Sequence, residues 1–140
     1  MLKIDLYKNM IRDSRTYGKV YGRVTPGEQY TLDKLAKHMS EHNTPYSKGV
    51  IKGIMTDMVS CIKELLLDGN SVKINDLAIF KAKVETSPAD TYDKFDCGTN
   101  VKGVKLIIYA TGEATRAAMS RDATCKLSKY SESLRTPEEP

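Results

Sequence analysis

The sequence predicts an α+β fold: two helices, a three-stranded antiparallel sheet and a short C-terminal helix, with an extra strand segment at the N-terminus. Two observations lead there. Val50, Ile51, Ile54, Met55, Met58, Val59, Ile62, Leu65 and Leu66 recur at i, i+3, i+4 and i+7, the stripe of one long helix. After Ser71 the period drops to two: Val72 and Ile74 flank Lys73, then Phe80, Ala82 and Val84 alternate with Lys81 and Lys83. Such alternation marks a half-buried antiparallel sheet with a lysine row on its open face.

The elements follow in chain order. Residues 17–24, YGKVYGRV, alternate aromatic or apolar residues with Lys and Arg, and Thr25-Pro26-Gly27 ends them, so residues 1–30 read as an extension holding a strand or hairpin. Thr31 is placed to cap a helix carrying Leu32, Leu35, Ala36 and Met39 at helical spacing and ending near Asn43. Thr44-Pro45 restarts the chain, because proline suits a first helical turn. Asp68-Gly69-Asn70 stops the long helix. Its apolar stripe is wider than the helix over 31–42 can cover, which predicts a homodimer.

Asn75-Asp76 is a turn or bulge between the first two strands of the sheet. Residues 86–100 are polar and turn-rich, with Pro88 starting one helical turn that sets Tyr92 and Phe95 inward. A third strand runs from Val104 to Tyr109, and Gly112 to Met119 form the last short helix of a domain over 31–121. Residues 122–140, ending Pro-Glu-Glu-Pro, read as a flexible tail.

At 140 residues the chain has the size of one domain. No apolar run approaches the ~18 residues of a membrane span, and the N-terminus lacks the apolar stretch of a secretory signal. Cys61, Cys97 and Cys125 are odd in number, widely spaced and without a CxxC pair, so they read as reduced thiols of a cytoplasmic protein, Cys61 as a small core residue. The formal charge is +4, and residues 1–30 hold six bases against three acids. A basic patch of this size suits a solvated surface as well as a nucleic-acid partner.

Catalytic motifs are missing. No GxSxG, Walker loop or GxGxxG occurs, and His38 and His42 stand four apart without an HExxH frame or a third ligand. The expectation is a protein without enzymatic activity, cofactor, metal or small-molecule substrate.

Residues 31–119 carry a more specific pattern. The run LLLDGNSVKINDLAIFKAKV leads from the long helix into the sheet, and Tyr109-Ala110-Thr111-Gly112-Glu113-Ala114 closes it. With Gly69 to Val72, Leu77 and Phe80, this order resembles the HU/integration-host-factor family of dimeric bacterial DNA-binding proteins, in a branch with an N-terminal extension and a shortened arm. The resemblance implies a histone-like, nucleoid-associated protein that binds double-stranded DNA with little sequence preference. It departs from the family at Ala78, where glycine is usual, at Thr111-Gly112 in place of Pro-Gly, and in the arm. Residues 85–103 are acidic and lack the Arg-Asn-Pro tip that wedges between base pairs, so strong bending is not expected.

Four lysines remain for DNA. If Phe80, Ala82 and Val84 face the core, Lys81 and Lys83 face away, with Lys73 beside them and Lys105 on the neighbouring strand; Arg12, Arg15, Lys19 and Arg23 are second-rank candidates. Spacing alone allows these lysines to contact phosphates or only to keep an open sheet soluble. The resemblance favours DNA. The alternative is a dimeric structural or adaptor module that keeps the scaffold and has lost DNA binding.

Overall fold

The computed structural model describes residues 1–135. In chain order the elements are β1 (Leu2–Lys8), β2 (Val20–Val24), α1 (Leu32–Ser40), α2 (Lys48–Leu67), β3 (Val72–Ile74), β4 (Ala78–Thr86), α3 (Cys97–Asn100), β5 (Val101–Ala110), α4 (Arg116–Asp122), β6 (Cys125–Leu127) and α5 (Lys129–Ser133). Single 3-10 turns stand at Tyr92–Lys94 and Gly112–Ala114. The chain divides into two units, Tyr30–Met119 and a second made of Met1–Gln29 with the chain from Ser120.

In the unit Tyr30–Met119, Thr31 caps α1 as its sequence predicts, its Oγ1 accepting from the Lys34 amide at 3.3 Å. The long helix starts later than Pro45 suggests. Ser47 caps it, accepting from the Val50 amide at 3.3 Å, because a hydroxyl satisfies a free N–H that proline can only omit. At its far end Gly69 takes φ +84°, and the amides of Gly69 and Asn70 bond the carbonyls of Leu66 and Leu65, both at 3.0 Å. That pair of bonds is the glycine stop expected from Asp68-Gly69-Asn70. Asp33 of α1 ties the helices together, with Lys48 Nζ at 2.9 Å and Lys52 Nζ at 3.1 Å. These two ammonium groups hold its carboxyl below the usual carboxylate range.

Strands β3, β4 and β5 form one antiparallel sheet in that order. Asp76, at φ +60°, turns β3 into β4 and lies against the end of β5. Gly112 passes so close to Asp76 that a side chain there would meet the Asp76 backbone at 2.9 Å. Beyond Thr86 the chain closes on itself through Asn100, whose carbonyl accepts from the Ser87 amide at 2.8 Å and whose side chain accepts from the Asp96 amide at 2.9 Å. The short turn starts at Tyr92 rather than Pro88. Tyr92 is fully exposed and Phe95 is 43% exposed, so neither ring is packed inward as the sequence pattern suggests. Polar side chains, Asp96 and Asn100, organise this tip instead of aromatic packing.

The buried apolar residues of this unit are few and mostly small: Ala36, Ile51, Leu66, Ala78 and Ala118. Val50, Ile54, Met58, Val59 and Leu65 of α2 stay exposed, as do Val84, Val104, Leu106 and Ile108 of the sheet. A groove of about 420 Å³ runs between them, lined by Met58, Val59, Ile62, Leu66, Ile74, Leu77, Phe80 and Leu106 among others.

The other unit is a second sheet in the order β2-β1-β6, with β1 antiparallel to β2 and parallel to β6. The hairpin loop is organised by Asn9, whose amide side chain donates to Ser14 Oγ at 3.1 Å and Thr16 Oγ1 at 2.9 Å. The chain after Asp122 reads as a loose tail in the sequence, yet residues 125–133 form β6 and α5. Backbone pairing with β1 explains the difference, and the fully buried Ser131 hydroxyl accepts from the Leu6 amide at 2.8 Å. Residues 136–140 of that predicted tail lie outside the described residues.

Candidate nucleic-acid interface

Strand register decides which side chains share a face. Lys73 stands opposite Ile79, Lys81 opposite Ile107, and Lys83 opposite Lys105. Alternation therefore puts Lys73, Lys81, Lys83 and Lys105 on one face of the sheet, with Ile79, Ile107 and Tyr109. Phe80, Ala82, Val84, Val104, Leu106 and Ile108 take the other face, which continues into the apolar groove beside α2. The structure thus brings together the four lysines that spacing had singled out, and all four are exposed.

Their electrostatic states differ. Lys105 Nζ lies 2.7 Å from Glu85 Oε1, so its charge is already answered within the sheet. Lys81 Nζ sits 5.9 Å from the centroid of the Tyr109 ring, close enough for a cation–π contact that leaves the ammonium open to solvent. Lys83 faces Lys105 directly across the ladder, a like-charge pair that is unfavourable by itself. Glu85, one step along the same face, offsets that repulsion. The acidic residues at the end of the β4–β5 arm, Asp90, Asp93 and Asp96, stand against a single lysine there, Lys94, which pairs with Asp90 at 3.7 Å.

Arg12, Arg15, Lys19 and Arg23 belong to the other unit, so the eight predicted cations do not form one cluster within a unit. Arg12, Arg15 and Lys19 lie exposed along the β1–β2 connection. Arg23 is on β2, with its guanidinium carbon 5.4 Å from the centroid of the Tyr7 ring. Tyr7 in turn faces Tyr21 across the hairpin, the rings 6.0 Å apart and 30° from parallel. The sequence reading caught YGKVYGRV but left LKIDLYK, residues 2–8, unassigned. Its own alternation, Leu2, Ile4 and Leu6 against Lys3, Asp5 and Tyr7, is the signal that would have found β1 and this aromatic pair.

His38 and His42 lie one turn apart on the surface with their Nε2 atoms 3.1 Å from each other. Among the described residues no group of three or more His, Cys, Asp or Glu is placed to hold a metal ion. Cys61, read as a core residue, is exposed, as are Cys97 and Cys125.

Two helices, a three-stranded sheet with a lysine face, and a short closing helix define an HU-like protein. The comparison with family models agrees: the chain belongs to the HU-HIG family, described as an HU domain fused to wHTH, Ig, or glycine-rich motif, and the match covers residues 1–126. Among solved structures it is similar to a protein of Bacteroides vulgatus that carries a provisional description as a bacterial DNA-binding protein, at 17% identity and a TM-score of 0.62. That match covers 90% of this chain and 47% of the other, so this chain spans about half the length of its structural relative. No curated protein matches. Among the described residues, no helix is long and apolar enough to cross a membrane.

Proposed function

We propose that the protein binds double-stranded DNA as a homodimer, without catalysis and with little preference for sequence, in an architectural role at the nucleoid. The observation that carries this reading is the strand register that gathers Lys73, Lys81, Lys83 and Lys105 on one face of the sheet. Exposed ammonium groups on a common face suit phosphates, which carry one charge per ~1.7 Å of duplex. Nothing on that face suits base edges. It offers no Arg, Asn or Gln among its described residues, and those are the side chains that read bases bidentately.

The homodimer is supported by the apolar side of the same sheet. Val84, Val104, Leu106 and Ile108 are 53–55% exposed, and Ile54 and Val59 of α2 are 61% and 55% exposed. At about 1.5–3 kcal/mol for each side chain fully buried, half-burying these six residues leaves roughly 5–9 kcal/mol per subunit for a second copy to recover. With two copies the lysine face doubles. The membership in an HU family supports DNA as the partner and a cytoplasmic location.

The test is fluorescence anisotropy of the whole chain on labelled duplexes of unrelated sequence across a salt series, with light scattering on the same samples. Similar affinities on every duplex and a steep loss with salt are expected from a dimer. Salt-insensitive or absent binding by a well-folded dimer would favour the adaptor reading.

A further inference from the structure

We infer that the β1–β2 face of the N-terminal unit is a binding platform for single-stranded DNA, with bases stacking on Tyr7 and Tyr21 and phosphates meeting Arg23, Lys3 and Lys19. This site shares no residue with the lysine face of the other sheet, so it goes beyond the proposed duplex binding and does not depend on it.

Register puts the components together. Tyr7 pairs with Tyr21 and Asp5 with Arg23, so Lys3, Asp5, Tyr7, Tyr21 and Arg23 share one face. Lys19 continues the same alternation, since its carbonyl accepts from the Asn9 amide at 2.9 Å. The two rings are stacked 6.0 Å apart yet each remains 42% exposed. Burying aromatic rings inside a sheet normally removes them from water, and these keep an open side. The Arg23 guanidinium lies over the Tyr7 ring, 5.4 Å from its centroid, so it extends the stack of the two rings with a planar cation on which a base can itself stack. Exposed aromatic rings interleaved with cations form the sequence-tolerant arrangement that grips unpaired strands, because every base has a stacking face.

Charge favours a polyanion here. Residues 1–30 hold six bases against three acids, and the second stretch of this unit is balanced, four bases against four acids, so the excess sits on the β1–β2 side. The acid on the face itself is occupied. Hydrogen bonding from Ser128 and then from Thr25, whose Oγ1 lies 2.9 Å from Asp5 Oδ1, lowers the Asp5 carboxyl below its ordinary value, and Arg23 adds to this. With Oδ1 held by Thr25, Asp5 is partly engaged and opposes a strand on this face less than an open carboxylate would.

The experiment measures anisotropy of fluorescein-labelled dT20 with the full chain at moderate salt, for the parent, Y7L/Y21L, Y7F/Y21F and K81A/K83A. Y7L/Y21L is expected to lose about 10-fold or more in dT20 affinity, since each stacked ring is worth roughly 5-fold to 100-fold. Y7F/Y21F should bind like the parent, and K81A/K83A should weaken a 20-bp duplex while sparing dT20. Ultraviolet crosslinking of the parent to dT20 should map to Tyr7 or Tyr21, which keeps the test valid if the leucine variant is poorly folded. No measurable dT20 binding, equal binding by a folded Y7L/Y21L, or crosslinks confined to the other unit would overturn the inference. So would displacement of dT20 by poly-glutamate as effective as by unlabelled dT20, which would mean an acidic peptide surface, or tenfold tighter binding of rU20.

Discussion

Lys81→Ala with Lys83→Ala is the sharpest probe of the lysine face, because its effect can be worked out as a slope. Lys73, Lys81 and Lys83 carry no ion pair among the described residues, whereas Lys105 is held by Glu85 at 2.7 Å. A dimer therefore offers about six free ammonium groups, and at −0.9 per neutralised phosphate log K should fall with log salt at a slope near −5. Between 50 and 200 mM salt the parent should lose affinity by roughly 10³-fold. Removing two lysines per subunit leaves about two contacts, a slope near −2, and a loss of only about 10-fold over the same range. Anisotropy on a fluorescein-labelled 30-bp duplex reads this directly, and the effect should be the same for unrelated sequences. A slope that changed by less than one, in a variant with parental circular dichroism and parental mass by light scattering, would remove the lysine face from the interface.

Glu85→Gln should act in the opposite direction: it frees Lys105, so a dimer gains about two phosphate contacts, and the salt slope should steepen by about −2 with tighter binding at low salt. Asp33 has a folded value below its ordinary 3.8, so its contribution to stability is fully present above that ordinary value and is lost as pH falls through the lower folded one. Urea melts should accordingly show the parent losing stability between pH 5 and 3 more steeply than Asp33→Asn. Gly112→Ala puts a side chain at φ +55° and against the Asp76 backbone, so chemical denaturation should show a loss of about 1–3 kcal/mol, with a value near zero refuting the close approach.

The parts of this fold that were legible in the sequence are those with a clean period. The stripe from Val50 to Leu66 announced α2, and Lys73, Lys81 and Lys83 between apolar neighbours announced a sheet with a basic face. Gly69 marked its stop because only a residue comfortable at positive φ closes a helix that way. The start of α2 was misplaced because Pro45 and Ser47 both carry start signals, and the hydroxyl rather than the proline supplied an acceptor. The tip at residues 87–100 resisted because its order comes from Asp96 and Asn100 bonding the backbone, which leaves no hydrophobic period to read. β6 was invisible for a different reason. Three residues pair with β1 across more than a hundred positions, and such a contact has no local signature.

The placement of charge in the HU-like unit bears on what it does to the duplex. Residues 30–119 contain 12 Lys and Arg against 11 Asp and Glu, so attraction to DNA depends on where the charges sit rather than on their sum. The sheet face concentrates lysines near its middle, while Asp90, Asp93 and Asp96 occupy the end of the β4–β5 arm. Bending a 20–30 bp site by 40–90° costs of order 1–6 kcal/mol, and contacts far from the centre of the site must repay it. Here the outermost part of the arm carries acid, and its one proline, Pro88, accepts a hydrogen bond at its carbonyl from the Asn100 side chain at 3.4 Å instead of standing free at a tip. The lysines that remain run across the three strands, from Lys73 on β3 through Lys81 and Lys83 on β4 to Lys105 on β5. For the duplex binding proposed above, this distribution of charge supplies affinity without a source of bending energy.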